Sequence, residues 1–194
     1  MNPDQASVQG LREVVRVLGR LGIAYALGGS MASSIHGTTR FTWDADLTVE
    51  PFPGRAAALA EGLGADWYLS LPAVEEALRQ RSSFNAINTA TGFKADLFVC
   101  KDDGFERAAL ARRLAVPLPG AGDDVVFVQT PEDVVLFKLR WYRLGDEASE
   151  QQWRDVLGVL ACQKGRLDRA YLDHWAGELG VADLLGRALR ESGC

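Results

Sequence analysis

Residues 43–49 constrain the fold more than any other segment, because apolar and polar side chains alternate along them without interruption. The apolar positions are Trp43, Ala45, Leu47 and Val49, and the polar positions are Asp44, Asp46 and Thr48. Successive side chains of a β-strand point to opposite faces of the sheet, so the alternation predicts a strand. One face of this strand is expected to pack in a core, and the other face is expected to carry the two aspartates.

Three aspartates form a predicted metal site. Asp44 and Asp46 are two residues apart, so their carboxylates are expected to lie about 6 to 7 Å apart and to repel each other by about 2 to 3 kcal/mol. Residues 93–99 alternate in the same way and place Asp96 on their polar face. A divalent cation such as Mg²⁺ or Mn²⁺ neutralises such a cluster, and Mg²⁺ prefers hard oxygen ligands. The alternative is a solvated strand face with ordinary surface aspartates.

A glycine turn lies upstream of the first two aspartates. Residues 23–27 form a short apolar run that predicts a buried strand, and this run ends at Gly28-Gly29-Ser30. Glycine lets the backbone approach a ligand closely, and a helix N-terminus favours an anion. The turn therefore predicts a phosphate-binding loop in which Ser30 caps a short helix that ends near His36. The alternative is a tight strand-to-helix turn, because the segment matches neither a Walker loop nor the G-x-G-x-x-G motif.

The rest of the chain predicts an α/β (α+β) fold with a small mixed sheet flanked by helices. Further helices are expected over about residues 8–18, 55–62, 72–79, 131–144, 149–163, 168–179 and 181–190, and further strands over about residues 84–89, 93–99 and 125–128. Thr130-Pro131 is a strong helix start, because threonine is a good cap and proline suits the first helical position. We predict an α/β domain over residues 1–128 and a helical C-terminal part over residues 129–194 that packs on it.

Composition and charge limit the classes of partner and the cellular compartment that are expected for the protein. The formal net charge is −5, whereas proteins that coat nucleic acid usually carry a broad basic surface. The three cysteines include no C-x-x-C pair, which disfavours a disulfide framework or a zinc site and favours a reducing cytoplasm. The polar start lacks the pattern of a secretion signal, and no apolar run approaches the roughly 20 residues that span a bilayer. A cytoplasmic protein without a membrane partner is therefore predicted.

These motifs, taken in order, resemble a known superfamily. Gly28-Gly29-Ser30, a short helix and then Arg40-x-Thr42-x-Asp44-x-Asp46 resemble the signature of the nucleotidyltransferase-fold superfamily, the polymerase-beta-like group. The segment around Asp96 is similar to the strand that bears the family's third carboxylate. Residues 130–139, followed by Arg154-Asp155, are similar to its C-terminal helical elements. The first motif is closest in form to bacterial minimal nucleotidyltransferases related to type IV toxin–antitoxin toxins.

The resemblance implies an enzyme that moves a nucleoside monophosphate from an NTP to an acceptor hydroxyl and releases pyrophosphate. It implies catalytic and metal-binding roles for Asp44, Asp46 and Asp96, and nucleotide-binding roles for Gly28, Gly29, Ser30, Arg40 and Lys138. Asp96 would either bind the metal or act as the base toward the acceptor hydroxyl. Two of these residues also have a second interpretation from the sequence. Lys138 interrupts an apolar helical stripe and either reaches a phosphate or extends from the stripe edge into solvent, and Arg40 either positions a phosphate or pairs with a carboxylate.

The acceptor is left open, as a tRNA end, a protein side chain or a small molecule such as an antibiotic. A toxin of a toxin–antitoxin pair, with an antitoxin protein as its partner, is one function that the resemblance implies. The alternative is a catalytically inactive member of the same fold that binds a nucleotide or a partner. A glycosyltransferase also uses Asp-x-Asp to bind a metal and a sugar nucleotide, but it fits less well because only 43 residues precede Asp44.

Overall fold

A computed structural model of the chain describes residues 3–40, 42–118 and 124–194, with the backbone alone for residues 3–5. Within these residues the chain forms one mixed sheet and nine helices. The strands are β1 (Tyr25–Leu27), β2 (Asp44–Val49), β3 (Trp67–Leu69), β4 (Ser83–Asn88), β5 (Lys94–Val99), β6 (Leu114–Pro117) and β7 (Val125–Val128). The helices are α1 (Pro3–Arg20), α2 (Gly29–His36), α3 (Ala56–Leu63), α4 (Leu71–Gln80), α5 (Gly104–Ala111), α6 (Pro131–Leu144), α7 (Glu150–Cys162), α8 (Arg169–Glu178) and α9 (Ala182–Ser192).

The sheet contains all seven strands in the order β3-β4-β5-β2-β1-β7-β6. β2 pairs with β5 in parallel and with β1 antiparallel, so it lies between strands of opposite direction. The predicted fold class, a mixed sheet with flanking helices and a helical C-terminal part, is confirmed. No helix in the described part of the chain is long and apolar enough to cross a membrane.

The chain divides into two compact units. The sheet unit comprises the described residues of Met1–Gly28 and Phe41–Val128, and it holds the whole sheet with α1, α3, α4 and α5. The helical unit comprises Gly29–Arg40 and Gln129–Cys194, and it holds α2 and α6 to α9. The predicted domain division into residues 1–128 and 129–194 is not tested by this grouping, and it stays a prediction.

The core of the sheet unit follows from the alternation in β2 and β5. Ala45, Leu47, Val49, Ala95, Leu97 and Val99 are all at most 2% exposed. Burying one leucine in such a core contributes roughly 1.5 to 3 kcal/mol relative to leaving it in water. Trp43 continues the apolar pattern in the sequence but is 45% exposed, because β2 begins only at Asp44. The apolar face of the two strands is therefore fixed by packing, and their polar face carries the aspartates.

The helical unit brings α2 close to α7 at a glycine. A Cβ atom on Gly37 would lie 2.8 Å from the backbone N of Val159 and 2.9 Å from the carbonyl carbon of Gly158, so no side chain fits there. α6 starts as predicted, because the Thr130 hydroxyl accepts a hydrogen bond from the backbone N–H of Asp133 and Pro131 takes the first helical position. These two features position α6, which carries Lys138, and the segment after α2 that carries Arg40.

Three elements were not predicted from the sequence. β3 has three residues and β6 has four, which is too short for a convincing alternation. α5 could have been predicted, because Asp103, a good helix-capping residue, stands directly before it in the sequence. In the structure the Asp103 carboxylate accepts a hydrogen bond from the N–H of Glu106, as a helix cap does.

Candidate active site

The sheet unit places the three predicted carboxylates next to one another. Parallel pairing of β2 with β5 sets Asp46 opposite Asp96 and Asp44 opposite Lys94. Paired residues of neighbouring strands share a face, so these four side chains lie on the face opposite the core. We call Asp44, Asp46 and Asp96 the acidic cluster.

Lys94 supplies a positive charge to the acidic cluster. Its Nζ lies 2.8 Å from Asp96 Oδ2 and 3.9 Å from Asp44 Oδ2. The hydrogen bond to Asp96 raises the pKa of Lys94 above its usual value, although partial burial acts in the opposite direction. Lys94 was not among the predicted site residues. Its place could have been found from the sequence, because Lys94 stands two residues before Asp96 on a strand and therefore shares the face of Asp96.

The donor chemistry of the acidic cluster fits a hard divalent cation, since three carboxylates supply oxygen ligands on one face of a sheet. As the side chains stand, no group of three or more His, Cys, Asp or Glu within residues 3–40, 42–118 and 124–194 is arranged to hold a metal ion. The Lys94 ammonium group lies within ion-pair distance of Asp96 and Asp44, two of the carboxylates that a metal would need as ligands. A metal at this cluster would therefore have to compete with Lys94.

Gly28 and Gly29 have different backbone roles. The N–H of Gly28 donates to the carbonyl oxygen of Asp46 at 2.8 Å, so this amide is already used in positioning β2. Gly29 begins α2 with a φ of +55°, a left-handed conformation that glycine adopts without strain. α2 thus begins one residue before the predicted cap, and Ser30 lies within the helix. Its hydroxyl oxygen instead accepts a hydrogen bond from Arg40 Nη2.

The predicted basic residues of the helical unit converge on one carboxylate. Lys138 Nζ lies 2.8 Å from Asp155 Oδ2, and both side chains are only 6% exposed. The Nε and Nη2 atoms of Arg40 each donate to Asp155 at 3.2 Å. Gln151 Nε2 donates to the same carboxylate at 2.7 Å. We call Arg40, Lys138, Gln151 and Asp155 the Asp155 network.

The Asp155 network shows how Lys138 and Arg40 are paired, while their nucleotide-binding roles stay predictions. Lys138 is buried and paired, so it does not extend along the stripe edge into solvent. Arg40 pairs with a carboxylate, and it also bonds to Ser30. Burial alone would raise the pKa of Asp155, but the hydrogen bonds from Arg40 and Lys138 outweigh it, so the pKa lies below the ordinary value. Asp155 was seen in the sequence only as part of a weak helical motif, because its partners are distant along the chain.

No protein-family model matches the sequence, and no curated protein matches it either. Among solved structures, an antigenic nucleotidyltransferase-like protein from Paracoccidioides brasiliensis matches with a TM-score of 0.52 and 16% identity, over 95% of this chain and 92% of that one. The chain has the fold of that nucleotidyltransferase-like protein. At this identity the likeness concerns the fold alone, and the relation to toxin–antitoxin toxins stays a prediction.

A second solved structure, the antibiotic-resistance factor ANT(2'')-Ia in solution, matches 98% of this chain and 97% of its own, at 15% identity. Its TM-score is 0.47, which is too low to carry an argument about this chain.

Proposed function

We propose that this protein is a metal-dependent nucleotidyltransferase, which moves a nucleoside monophosphate from an NTP to an acceptor hydroxyl and releases pyrophosphate. The observation that carries this proposal is the acidic cluster, because Asp46 and Asp96 are paired across two strands with Asp44 on the same face. Such a concentration of negative charge is costly without a cation. The nucleotidyltransferase-like fold supports the proposal, and the sequence motifs agree with it.

Asp44, Asp46 and Asp96 would hold the metal, Mg²⁺ or Mn²⁺. Bound there, the ion supplies the positive charge that phosphoryl transfer needs at the triphosphate and at the leaving pyrophosphate. Lys94 fixes the Asp96 carboxylate through their 2.8 Å hydrogen bond. A carboxylate held in this way is suited to accept a hydrogen bond from the acceptor hydroxyl and so to orient it.

Gly29 and Ser30 would bind the triphosphate, with Gly28 allowing close approach of the backbone. Arg40 orients the Ser30 hydroxyl through a hydrogen bond, and its side chain is 32% exposed, so its guanidinium group keeps N–H donors for a phosphate. Lys138 is buried against Asp155, so we assign it a positioning role toward Arg40 rather than a first contact with phosphate. The proposal allows three classes of acceptor: an RNA end such as that of tRNA, a protein or a small molecule. It also includes the toxin role, with an antitoxin protein as the partner.

A catalytically inactive member of this fold, binding a nucleotide or a partner, is the second candidate. Lys94 is the observation that favours it, because its ammonium group already neutralises part of the acidic cluster without a metal. The two candidates differ in turnover, and a transfer assay separates them.

The test of the proposed function is transfer of label from each α-labelled NTP, with Mg²⁺ or Mn²⁺. The acceptors offered are total RNA, total protein, the protein itself and a small-molecule extract of cells. We expect label in one of these pools, which would establish both the transferase activity and the acceptor class. Binding of an NTP by equilibrium dialysis without label in any pool would overturn the transferase and favour the inactive member.

Lys94→Met should strengthen Mn²⁺ binding to the protein by about fivefold. The substitution removes about 1 kcal/mol of repulsion between the ammonium group and a cation at the acidic cluster, and it frees the Asp96 carboxylate. Paramagnetic resonance of free Mn²⁺ during a titration measures the affinity. Lys101→Met, which removes the same charge from an exposed position, is the matched control. Equal affinities in the two variants would show that Lys94 does not compete with the metal.

A further inference from the structure

A cavity lies in the sheet unit, at the strand ends remote from the acidic cluster. Its volume is about 360 Å³, and it is lined by Ala24, Glu50, Pro51, Arg81, Cys100, Asp102, Arg107, Leu110, Ala111 and Arg113. Asp44 is the first residue of β2, whereas Glu50 follows its last residue. Six residues of strand separate the two by about 20 Å, so this cavity is distinct from the acidic cluster.

Backbone hydrogen bonds hold the strand ends of the cavity together. The N–H of Glu50 donates to the carbonyl oxygen of Ala24 at 2.8 Å, and the N–H of Ala24 donates to Glu50 Oε1 at 3.0 Å. The N–H of Cys100 donates to the carbonyl oxygen of Val49 at 2.8 Å. The cavity is therefore formed by regular, paired backbone, and one carboxylate oxygen of Glu50 is already engaged.

Positive charge exceeds negative charge among the lining residues, since three arginines face two acids. Arg81 caps the C-terminal end of α4 with a φ of +52°, a left-handed conformation that favours glycine. Its Nη1 donates to the carbonyl oxygen of Cys100 at 2.7 Å, which fixes the guanidinium at the cavity. Arg107 is paired with Asp102 at an exposed position, so an incoming anion can displace that carboxylate.

Arg113 has a side-chain donor without an acceptor among residues 3–40, 42–118 and 124–194. Its Nη1 donates to the carbonyl oxygen of Leu110 at 2.8 Å, and its guanidinium lies 5.0 Å from the ring centre of Phe127. Its Nε is buried and has no hydrogen-bond partner in the described part of the chain. A buried N–H without an acceptor is unfavourable, and an acceptor atom of a ligand would remove this cost.

We propose that this cavity binds the phosphate group of a small molecule. Guanidinium groups present paired N–H donors that match the oxygens of a phosphate, and three of them line the cavity. The volume lies within the range of small-molecule sites, and it exceeds what a phosphate ion fills. The remaining space borders Ala24, Pro51 and Leu110, which suits a short organic group.

The Cys100 thiol is compatible with this ligand. Burial, together with nearby Glu106 and Asp103, raises the pKa of Cys100 to about 11, so the thiol stays neutral and does not repel an anion. The site does not depend on the proposed transferase activity, and its test measures binding alone.

Titration of the ¹⁵N-labelled full chain with inorganic phosphate and with glycerol 3-phosphate tests the site. We expect saturable shifts of the backbone amides of Lys101 and Ala111, with tighter binding of the ester. Arg107→Gln should weaken binding by about tenfold, which is the usual loss for one hydrogen bond to a charged group. Asp102→Asn should strengthen binding, because it removes the acid that competes for Arg107.

Arg79→Gln is the matched control, since Arg79 is exposed on α4, pairs with Glu76 and does not line the cavity. It should bind both phosphates as the unsubstituted protein does. Three outcomes would each overturn the proposal. The first is equal affinity for the phosphates in Arg107→Gln and Arg79→Gln, and the second is chemical shift changes confined to other amides, such as that of Ser30. The third is tighter binding of succinate than of either phosphate.

Discussion

Asp46→Asn should lower the rate of nucleotidyl transfer by at least about a hundredfold, because loss of a residue that merely supports a metal ligand already costs 10- to 100-fold. Asparagine keeps the shape of the side chain but removes the charge that, in the proposed function, would hold the cation. Asp46 lies opposite Asp96 in the β2–β5 pair, so the substitution also removes repulsion between the two carboxylates. We therefore expect the free energy of unfolding to stay unchanged or to rise while activity is lost.

Loss of activity without loss of stability distinguishes a metal ligand from a structural residue. Urea denaturation and the label-transfer assay measure the two quantities on the same preparation. Asp44→Asn should behave in the same way, although Asp44 is more exposed. Asp66→Asn, at an exposed position outside the acidic cluster, is the control and should leave both quantities unchanged. Full activity of Asp46→Asn would contradict the proposed metal ligation.

The alternation in β2 was sufficient to predict its core face and its acidic face. Period-two patterns report which side of a strand is buried, and Ala45, Leu47 and Val49 are all fully buried. The same pattern in β5 located Asp96. The parallel register that sets Asp46 opposite Asp96 was not readable, because pairing between strands about fifty residues apart leaves no local signal in either one.

Electrostatic pairing was the part of the candidate site that the sequence predicted least. Lys94 was overlooked, although its position on the polar face of β5 could be read from the strand period. Arg40 and Asp155 are 115 residues apart, and only the packing of α2 against α7 brings them together. Local patterns could therefore suggest that Arg40 and Lys138 are functional, but they could not identify the carboxylate that both residues bind.

Asp155→Leu should destabilise the protein by about 3 to 5 kcal/mol, since removing one partner of a buried ion pair leaves the other charge uncompensated. The cost falls mainly on Lys138, because its side chain is only 6% exposed and, among the residues that the structure describes, Gln152 Oε1 at 3.0 Å is the hydrogen-bond partner that it keeps. Urea denaturation at neutral pH measures the loss. Asp168→Leu is no suitable control, because Asp168 caps α8, whereas Asp66→Leu removes one exposed carboxylate just before β3. A cost no greater than that of Asp66→Leu would contradict a buried ion pair.

The double variant Asp155→Leu/Lys138→Met should regain most of the lost stability, because it removes the unpaired charge together with its partner.

The pH dependence of the stabilisation by Asp155 has a defined sign. The pKa of Asp155 is lower in the folded protein than in the unfolded chain, so its stabilising contribution is complete above the unfolded value of about 3.9 and is lost as the pH falls through the folded value. The stability difference between the protein and Asp155→Leu should therefore be constant between pH 5 and 7 and should shrink below about pH 4. A difference that persists unchanged into stronger acid would show that Asp155 stabilises the helical unit through its shape rather than its charge.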